Sequence, residues 1–233
     1  MNIALFGYGK MGKMIEQLAV QRGHFIVAKI DEHTKSVDFS AMDVAIDFSI
    51  PESAFKNITN CFDYGVPIVS GTTGWLKQYD KAVALCKEKQ GAFIYASNFS
   101  LGVNLFFELN AKLAQMMGPF KDYKVALEEI HHTQKLDAPS GTAITLTEGI
   151  ISNSSYSAWK MENASENEIP IISKRIGDTP GTHSVHYDSA IDSIEIKHIA
   201  HNRQGFALGA VIAAEWLVGK KGVFTMKDVL GLQ

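Results

Sequence analysis

The chain has 233 residues, 46% hydrophobic and 20% charged, with a formal charge of −3, enough for one large domain or two modest ones around an ordinary core. That charge supports neither a nucleic-acid partner nor a membrane surface, and no stretch approaches the length of a membrane span. Cys61 and Cys86 lie far apart with no CxxC or Cys/His metal spacing, so both are expected to stay reduced, as in a cytoplasm. The opening MNIALFGYGKMG has no basic n-region and no long apolar run, and a signal peptide is not expected.

Asn2–Phe6 is a short apolar run closed by glycine and reads as a buried strand. Lys10–Gln21 sets Met11, Met14, Ile15 and Leu18 at helical spacing. Phe25–Ile30 reads as a second strand and residues 44–48 as a third. Ser49-Ile50-Pro51-Glu52 has the form of a capping box opening a helix. Residues 68–69 make a fourth strand, 75–89 a helix and 93–95 a fifth strand. Strand and helix in alternation predict an α/β domain, a Rossmann-type doubly wound parallel sheet covered on both faces.

At the first strand–helix junction stands Gly7-Tyr8-Gly9-Lys10-Met11-Gly12, a G-x-G-x-x-G in its required context. Its first glycine makes the tight turn, its second admits a pyrophosphate, and its third lets helix and strand pack closely. The helix N-terminus adds unpaired N–H groups and a positive dipole end. Asp31 follows by about 20 residues and is placed to accept hydrogen bonds from ribose hydroxyls. Asp31-Glu32 would repel a 2′-phosphate and no Arg follows directly, which favours NADH over NADPH, although Lys10, Lys29 or Lys35 near a phosphate would allow both. Gly71-Thr72-Thr73-Gly74 and Ala96-Ser97-Asn98-Phe99-Ser100 follow two later strands on the same edge. They are either ligand loops beyond the strand ends or ordinary turns.

The alternation then stops. Residues 101–118 form an amphipathic helix, 123–130 a strand and Gly141–Ile151 a helix. Residues 151–168 are Ser/Asn/Glu-rich and read as a surface loop. Strands at 171–176, 183–187 and Ser193–Ile199 follow with short turns, which imply antiparallel pairing in a small mixed sheet. The apolar helix 206–218 returns to the first domain. The expected organisation is a dinucleotide-binding domain of residues 1–100 plus 205–233, with an inserted α+β substrate and oligomerisation domain at 101–204.

EEIHHTQKLDAPSGTA, residues 128–143, opens that insertion. His131 and His132 end its first strand, Lys135 and Asp137 follow in a loop, and Ser140-Gly141-Thr142 opens a helix. Hydroxyls and N–H groups at such a turn form a small anion site, the lysine adds a point charge, and an imidazole delivers a proton near neutrality. Together they suit a carboxylated substrate that needs a proton as well as a hydride. Each part also has a plain structural reading. The histidines are hydrogen-bonded surface residues, Asp137 caps the turn and Ser140 is an N-cap. No third ligand sits at a supporting spacing beside the two histidines, so no metal is expected.

The chain resembles the 4-hydroxy-tetrahydrodipicolinate reductase (dihydrodipicolinate reductase) family of bacterial lysine and diaminopimelate biosynthesis. The motifs that carry the resemblance are GYGKMG, DFS (47–49), GTTGW (71–75), SNFSLGVN (97–104), EIHHTQKLDAPSGTA (129–143) and RIGDTPGTHSV (175–185). It implies NAD(P)H-dependent reduction of a cyclic, doubly carboxylated substrate to tetrahydrodipicolinate with loss of water. It implies His131 as proton donor or acceptor and Lys135 as proton donor, with His132, Ser140, Gly141 and Thr142 on the substrate. It implies cofactor contacts at Gly7, Tyr8, Gly9, Lys10, Met11, Gly12, Asp31, Gly71, Thr72, Thr73, Ser97, Asn98, Phe99 and Ser100. Arg203 is a further substrate-side candidate, and a cytoplasmic homotetramer assembled through the inserted sheet is implied as well. Loops between Asp31 and the third strand look trimmed, and Glu32 stands where a basic residue is usual. Two rivals remain: another two-domain NAD(P)-dependent dehydrogenase, which would need no H-H-x-x-K cluster, and a non-catalytic nucleotide sensor, which would want a DNA-binding or partner face.

Overall fold

A strand covered on both faces needs apolar side chains at every position, and the first half of the chain supplies them. In a computed structural model, which describes every residue except Lys35, Arg203 and Gln233, the elements run β1 (Asn2–Phe6), α1 (Lys10–Gln21), β2 (Phe25–Ile30), β3 (Val44–Asp47), α2 (Pro51–Asp63), β4 (Ile68–Ser70), α3 (Tyr79–Glu88) and β5 (Ala92–Tyr95). There follow α4 (Leu101–Met117), β6 (Lys124–His131), α5 (Gly141–Ile151), β7 (Ala158–Lys160), β8 (Glu168–Arg175), β9 (Thr182–Asp188) and β10 (Ser193–Ile199). The chain closes with α6 (Gln204–Leu217), β11 (Gly222–Phe224) and α7 (Met226–Leu230). It divides into two compact units, Met1–Leu101 with Gln204–Gln233, and Gly102–Arg203.

The first unit holds a six-stranded sheet in the order β2-β1-β3-β4-β5-β11, parallel throughout. Side-chain alternation along the strands fills two separate cores. Ile3, Leu5, Val44, Ile46, Val69 and Ile94 pack under α1, α6 and α7. Ala4, Phe6, Ala45, Ile68 and Phe93 face α2 and α3. The doubly wound parallel sheet read from the sequence is therefore present, with β11 and α7 added at its far edge.

The second unit holds a five-stranded sheet, β10-β9-β6-β8-β7. Here β9 pairs antiparallel with both β6 and β10, whereas β6 with β8 and β8 with β7 are parallel. The antiparallel expectation for the strands joined by short turns thus holds for β9 with β10 but not for β8 with β9, because β6 lies between those two and pairs with β8 in parallel. In the chain α5 lies between β6 and β8 and makes a crossover connection, which parallel neighbours require. The polar segment 151–168 is correspondingly not all loop: it contains β7, and β8 starts at Glu168. Val125 and Leu127 of β6 turn inward with Ile169, Ile171, Val185 and Tyr187, against Phe106, Ala114 and Met117 of α4 and Leu146 and Ile150 of α5.

The expected capping box at Ser49 does not form. The N-cap of α2 is Ile50, with no side-chain cap and Pro51 in the first turn. The Ser49 hydroxyl instead donates to Asp47 Oδ1 at 2.6 Å. A charged acceptor gives the stronger bond, so the local pattern yields to a longer-range one.

Phe93 has no exposed surface and stacks edge-on against Phe62, with Trp75 and Tyr79 beside it. Phe93→Ala is expected to lower the unfolding free energy by about 3–5 kcal/mol, read from urea unfolding with an unchanged slope. A loss below about 1 kcal/mol would contradict this account of the core.

Candidate active site

Two clusters of polar groups stand at strand ends, one in each unit. In the first, Gly7 leaves β1 at φ +88°, and a Cβ there would lie 2.2 Å from the Phe48 carbonyl oxygen. A Cβ on Gly12 would lie 2.4 Å from the Gly7 carbonyl oxygen, so helix and turn pack as closely as the motif requires. Gly9, the N-cap of α1, has open space where its Cβ would be and no side-chain cap. This is a cradle that a phosphate fits: the first N–H groups of a helix lack intrahelical acceptors and carry the positive dipole end. A cleft of about 500 Å³ opens there, lined by Gly7, Tyr8, Gly9, Asp31, Ser49 and Asn57 among others.

Asp31 is exposed on the rim of this cleft. Hydrogen bonds from the Thr34 hydroxyl and the His33 N–H hold its carboxyl below the usual range. Lys29 pairs with Glu16 at 2.8 Å and lies over the Tyr8 ring. Lys10 is exposed at the helix start, while Lys35 and Arg203 lie outside the described residues. Met11 packs against the core.

The two later loops have a more structural character than the sequence suggests. Asp47, at the end of β3, has no exposed surface and accepts from the hydroxyls of Ser49, Ser70 and Thr72 and from Asn57 Nδ2, all within 2.6–3.0 Å. Thr72 is spent on this carboxylate, and its hydroxyl also accepts from the Ser49 N–H. Gly71 faces the Phe48 ring and Thr73 is exposed. Ser97 is exposed, Asn98 accepts from the Ser100 N–H and Ser100 is buried. The Phe99 side chain is core, so any ligand contact it makes goes through its backbone. From the sequence, Asp47, Phe48 and Ser49 enter only as the DFS motif and a capping box, with no site role, and Asn57 not at all.

In the second unit the same strand parity that buries Val125 and Leu127 also buries Glu129 and His131. Glu129 has no exposed surface. Its oxygens accept from the Ser140 N–H at 3.1 and 3.2 Å and from the Ser173 hydroxyl at 2.8 Å. His131 Nδ1 lies 3.4 Å, Arg175 Nη2 3.5 Å and His183 Nε2 3.6 Å away. Burial works to raise this carboxyl, but contacts from His183, Ser140 and Ser173 outweigh it and hold it far below the ordinary range.

His131 stands edge-on to His183, ring centroids 5.0 Å apart. Burial, reinforced by repulsion from His183, pushes its pKa down to about 4 against the opposing pull of Glu129. The imidazole is therefore neutral at physiological pH. Lys135 Nζ bonds both oxygens of Asp137 at 2.7 and 2.8 Å, and this holds the Asp137 carboxyl low.

Ser140 takes up the N-cap reading that the sequence also allowed. It is the N-cap of α5, accepting from the Ala143 N–H at 3.2 Å, with its hydroxyl 3.2 Å from His183 Nε2 and its own N–H on Glu129. Its polar groups are thus engaged by the protein. Gly141 is exposed with open space around its Cα, Thr142 follows half-buried, and His132 is half-buried at the start of the loop.

Glu129, His131 and His183 bring ligand-type atoms within 4.8 Å of one another. This is the third-ligand arrangement that spacing alone did not reveal, and it excludes His132. It is a poor cation site, because Ser140 and Ser173 already occupy the carboxylate and Arg175 adds positive charge beside it. A separate cavity of about 270 Å³ is lined by Met117, Tyr123, Tyr156 and Tyr187. Its lysines are engaged, Lys121 on Ser155 and Lys124 on Glu166.

A glycine-turn parallel sheet interrupted by a second, mixed-sheet unit is the architecture of a two-domain dinucleotide-binding protein. The chain belongs to the dihydrodipicolinate reductase family: the model of that family's N-terminus matches residues 1–99 and the model of its C-terminus residues 102–230. It is 60% identical to the 4-hydroxy-tetrahydrodipicolinate reductase of Christiangramia forsetii, over 99% of this chain and 98% of that one. It is 31% identical to the enzyme of the same name from Lawsonia intracellularis, over 98% of each. Dipicolinate-bound dihydrodipicolinate reductase from Paenisporosarcina sp. TG-14 shares the fold, with TM-score 0.77, 24% identity and 98% of each chain covered.

An unfolded imidazole titrates near 6.5 and the folded His131 near 4. Between those values the unfolded chain holds the extra proton, so stability falls as pH drops from about 6.5 to 4. Urea midpoints across this window should decline less steeply in His131→Gln than in the wild type. Parallel curves would contradict a buried, neutral His131.

Proposed function

We propose that this chain reduces 4-hydroxy-tetrahydrodipicolinate to tetrahydrodipicolinate, with loss of water, in lysine and diaminopimelate biosynthesis. The observation that carries the reading is the gathering of His131, Lys135 and the Gly141–Thr142 helix start at one end of β6 and α5, within a chain matched by both halves of one reductase family. The first unit binds the dinucleotide, with the Gly7–Gly12 turn on the pyrophosphate and Asp31 on the ribose. A reduced nicotinamide supplies the hydride. The second unit binds the diacid. One substrate carboxylate displaces Asp137 from Lys135 and lies on the N–H groups that open α5. With His131 neutral, the Lys135 ammonium is the proton donor, and the imidazole N–H orients the reacting group.

NADH is the favoured cofactor. Asp31-Glu32 puts two exposed carboxylates where a 2′-phosphate would sit, and Lys29 is tied to Glu16. A homotetramer would assemble through the outer face of the second sheet, which leaves Ile172 and Ile199 about half exposed, and two free, buried cysteines suit a reducing cytoplasm.

With substrate generated enzymatically and NADH oxidation followed by absorbance, His131→Leu, which removes the orienting N–H, is expected to cut kcat on the order of 10²-fold, leaving KM nearly unchanged. Lys135→Ala should lower kcat and raise the substrate KM together. Normal turnover by both variants would remove the cluster from the chemistry. Asp31→Ala should weaken NADH binding in a fluorescence titration, and an unchanged affinity would take Asp31 out of the ribose site. In sedimentation, four copies are expected; a monomer at micromolar concentration would contradict the assembly.

A further inference from the structure

The reductase reading leaves one buried and one partly buried charge without a role. Glu129 grips the start of α5 through the Ser140 N–H, using both oxygens. Arg175, at the end of β8 and in register with His131, grips the lysine loop. Its Nε donates to the Lys135 carbonyl at 3.2 Å, its Nη2 to the Asp137 carbonyl at 2.6 Å and its Nη1 to its neighbour's carbonyl, that of Lys174, at 2.9 Å. Between the two side chains, Arg175 Nη2 and Glu129 Oε1 are 3.5 Å apart. The 135–137 loop and the Ser140–Thr142 turn are two residues apart in the chain, and these two side chains tie them to adjacent strands of one sheet.

We propose that Glu129 and Arg175 are a positioning pair, holding the Lys135 loop and the first turn of α5 at the spacing of a single substrate carboxylate. The proposal rests on the reductase reading. Neither side chain touches substrate. Glu129 has no exposed surface and its oxygens are occupied, while the Arg175 fork is spent on three carbonyls. Guanidinium is suited to this because its planar donors hold several acceptors at fixed angles, which a lysine ammonium does not reproduce.

Arg175→Lys keeps the charge and loses the fork, and Glu129→Gln keeps the shape and loses the charge. Each is expected to raise the substrate KM, and the dissociation constant of pyridine-2,6-dicarboxylate measured calorimetrically, roughly tenfold. NADH affinity should stay within about twofold, since the dinucleotide lies on the other unit. The double variant should cost much less than the product of the two single effects, as expected of residues that act as one unit. Lys174→Ala, next in sequence but paired with Glu128, serves as the control and should bind the diacid normally. If Glu129→Gln folds poorly, Arg175→Lys alone decides the matter. Variants that lose activity only in proportion to folded protein, with diacid affinity intact, overturn the positioning role while the wild type still turns over. A wild type that binds no diacid overturns the reductase reading, and the pair's role with it.

Discussion

A carboxylate with no exposed surface, Glu129, is the constraint around which the second unit's polar cluster is arranged. Removing an ion from water costs several kcal/mol even after relaxation, and the cost is met only when donors converge on it. Here they come from three directions: the start of α5 through Ser140, β8 through Ser173 and Arg175, and β9 through His183. A group this demanding fixes its neighbours. It also sets the local electrostatics, because the buried imidazole of His131 is neutral even beside it. Lys135 stands at the more exposed edge of the cluster.

The first unit repeats the device with Asp47. This carboxylate, also without exposed surface, collects Ser49, Asn57, Ser70 and Thr72. The loops after β3 and β4 are joined through it beside the glycine turn, where Gly7 meets the Phe48 carbonyl. In both units, then, an acid near a strand's carboxyl end organises loops in the region where ligands of open α/β sheets bind. Such acids contribute indirectly: their hydrogen bonds are preorganised and cost no rearrangement when a ligand arrives.

The sequence made the parallel sheet legible because alternation of strand and helix is a long-range pattern, repeated several times. It made the glycine turn legible because each glycine answers a distinct steric demand, and Gly7 and Gly12 meet those demands against named backbone atoms. What it concealed was short or non-local. Gly222–Phe224 spans three residues, too few for a period to register. The β6–β8 pairing is parallel because a helix and a further strand intervene, which turn length alone did not convey. His183 and Arg175 lie in the RIGDTPGTHSV motif, but they join the cluster from other strands, which nothing local to that motif conveys. Glu129 did carry one: it shares parity with Val125, Leu127 and His131, and a carboxylate on the apolar face of a strand marks a buried, partnered acid. Ser140 read as an anion-binding hydroxyl for the same reason that it is an N-cap. Only its partners distinguish the two.

The central claim is that the end of β6 and the start of α5 form a diacid site with Lys135 at its edge. A crystal structure with NADH and pyridine-2,6-dicarboxylate tests it most directly. One ligand carboxylate should lie within hydrogen-bond distance of Lys135 Nζ and of the N–H groups at Gly141 and Thr142, with Asp137 displaced from the lysine. A diacid seated instead in the cavity beside Tyr187, with the Lys135–Asp137 pair intact, would contradict it.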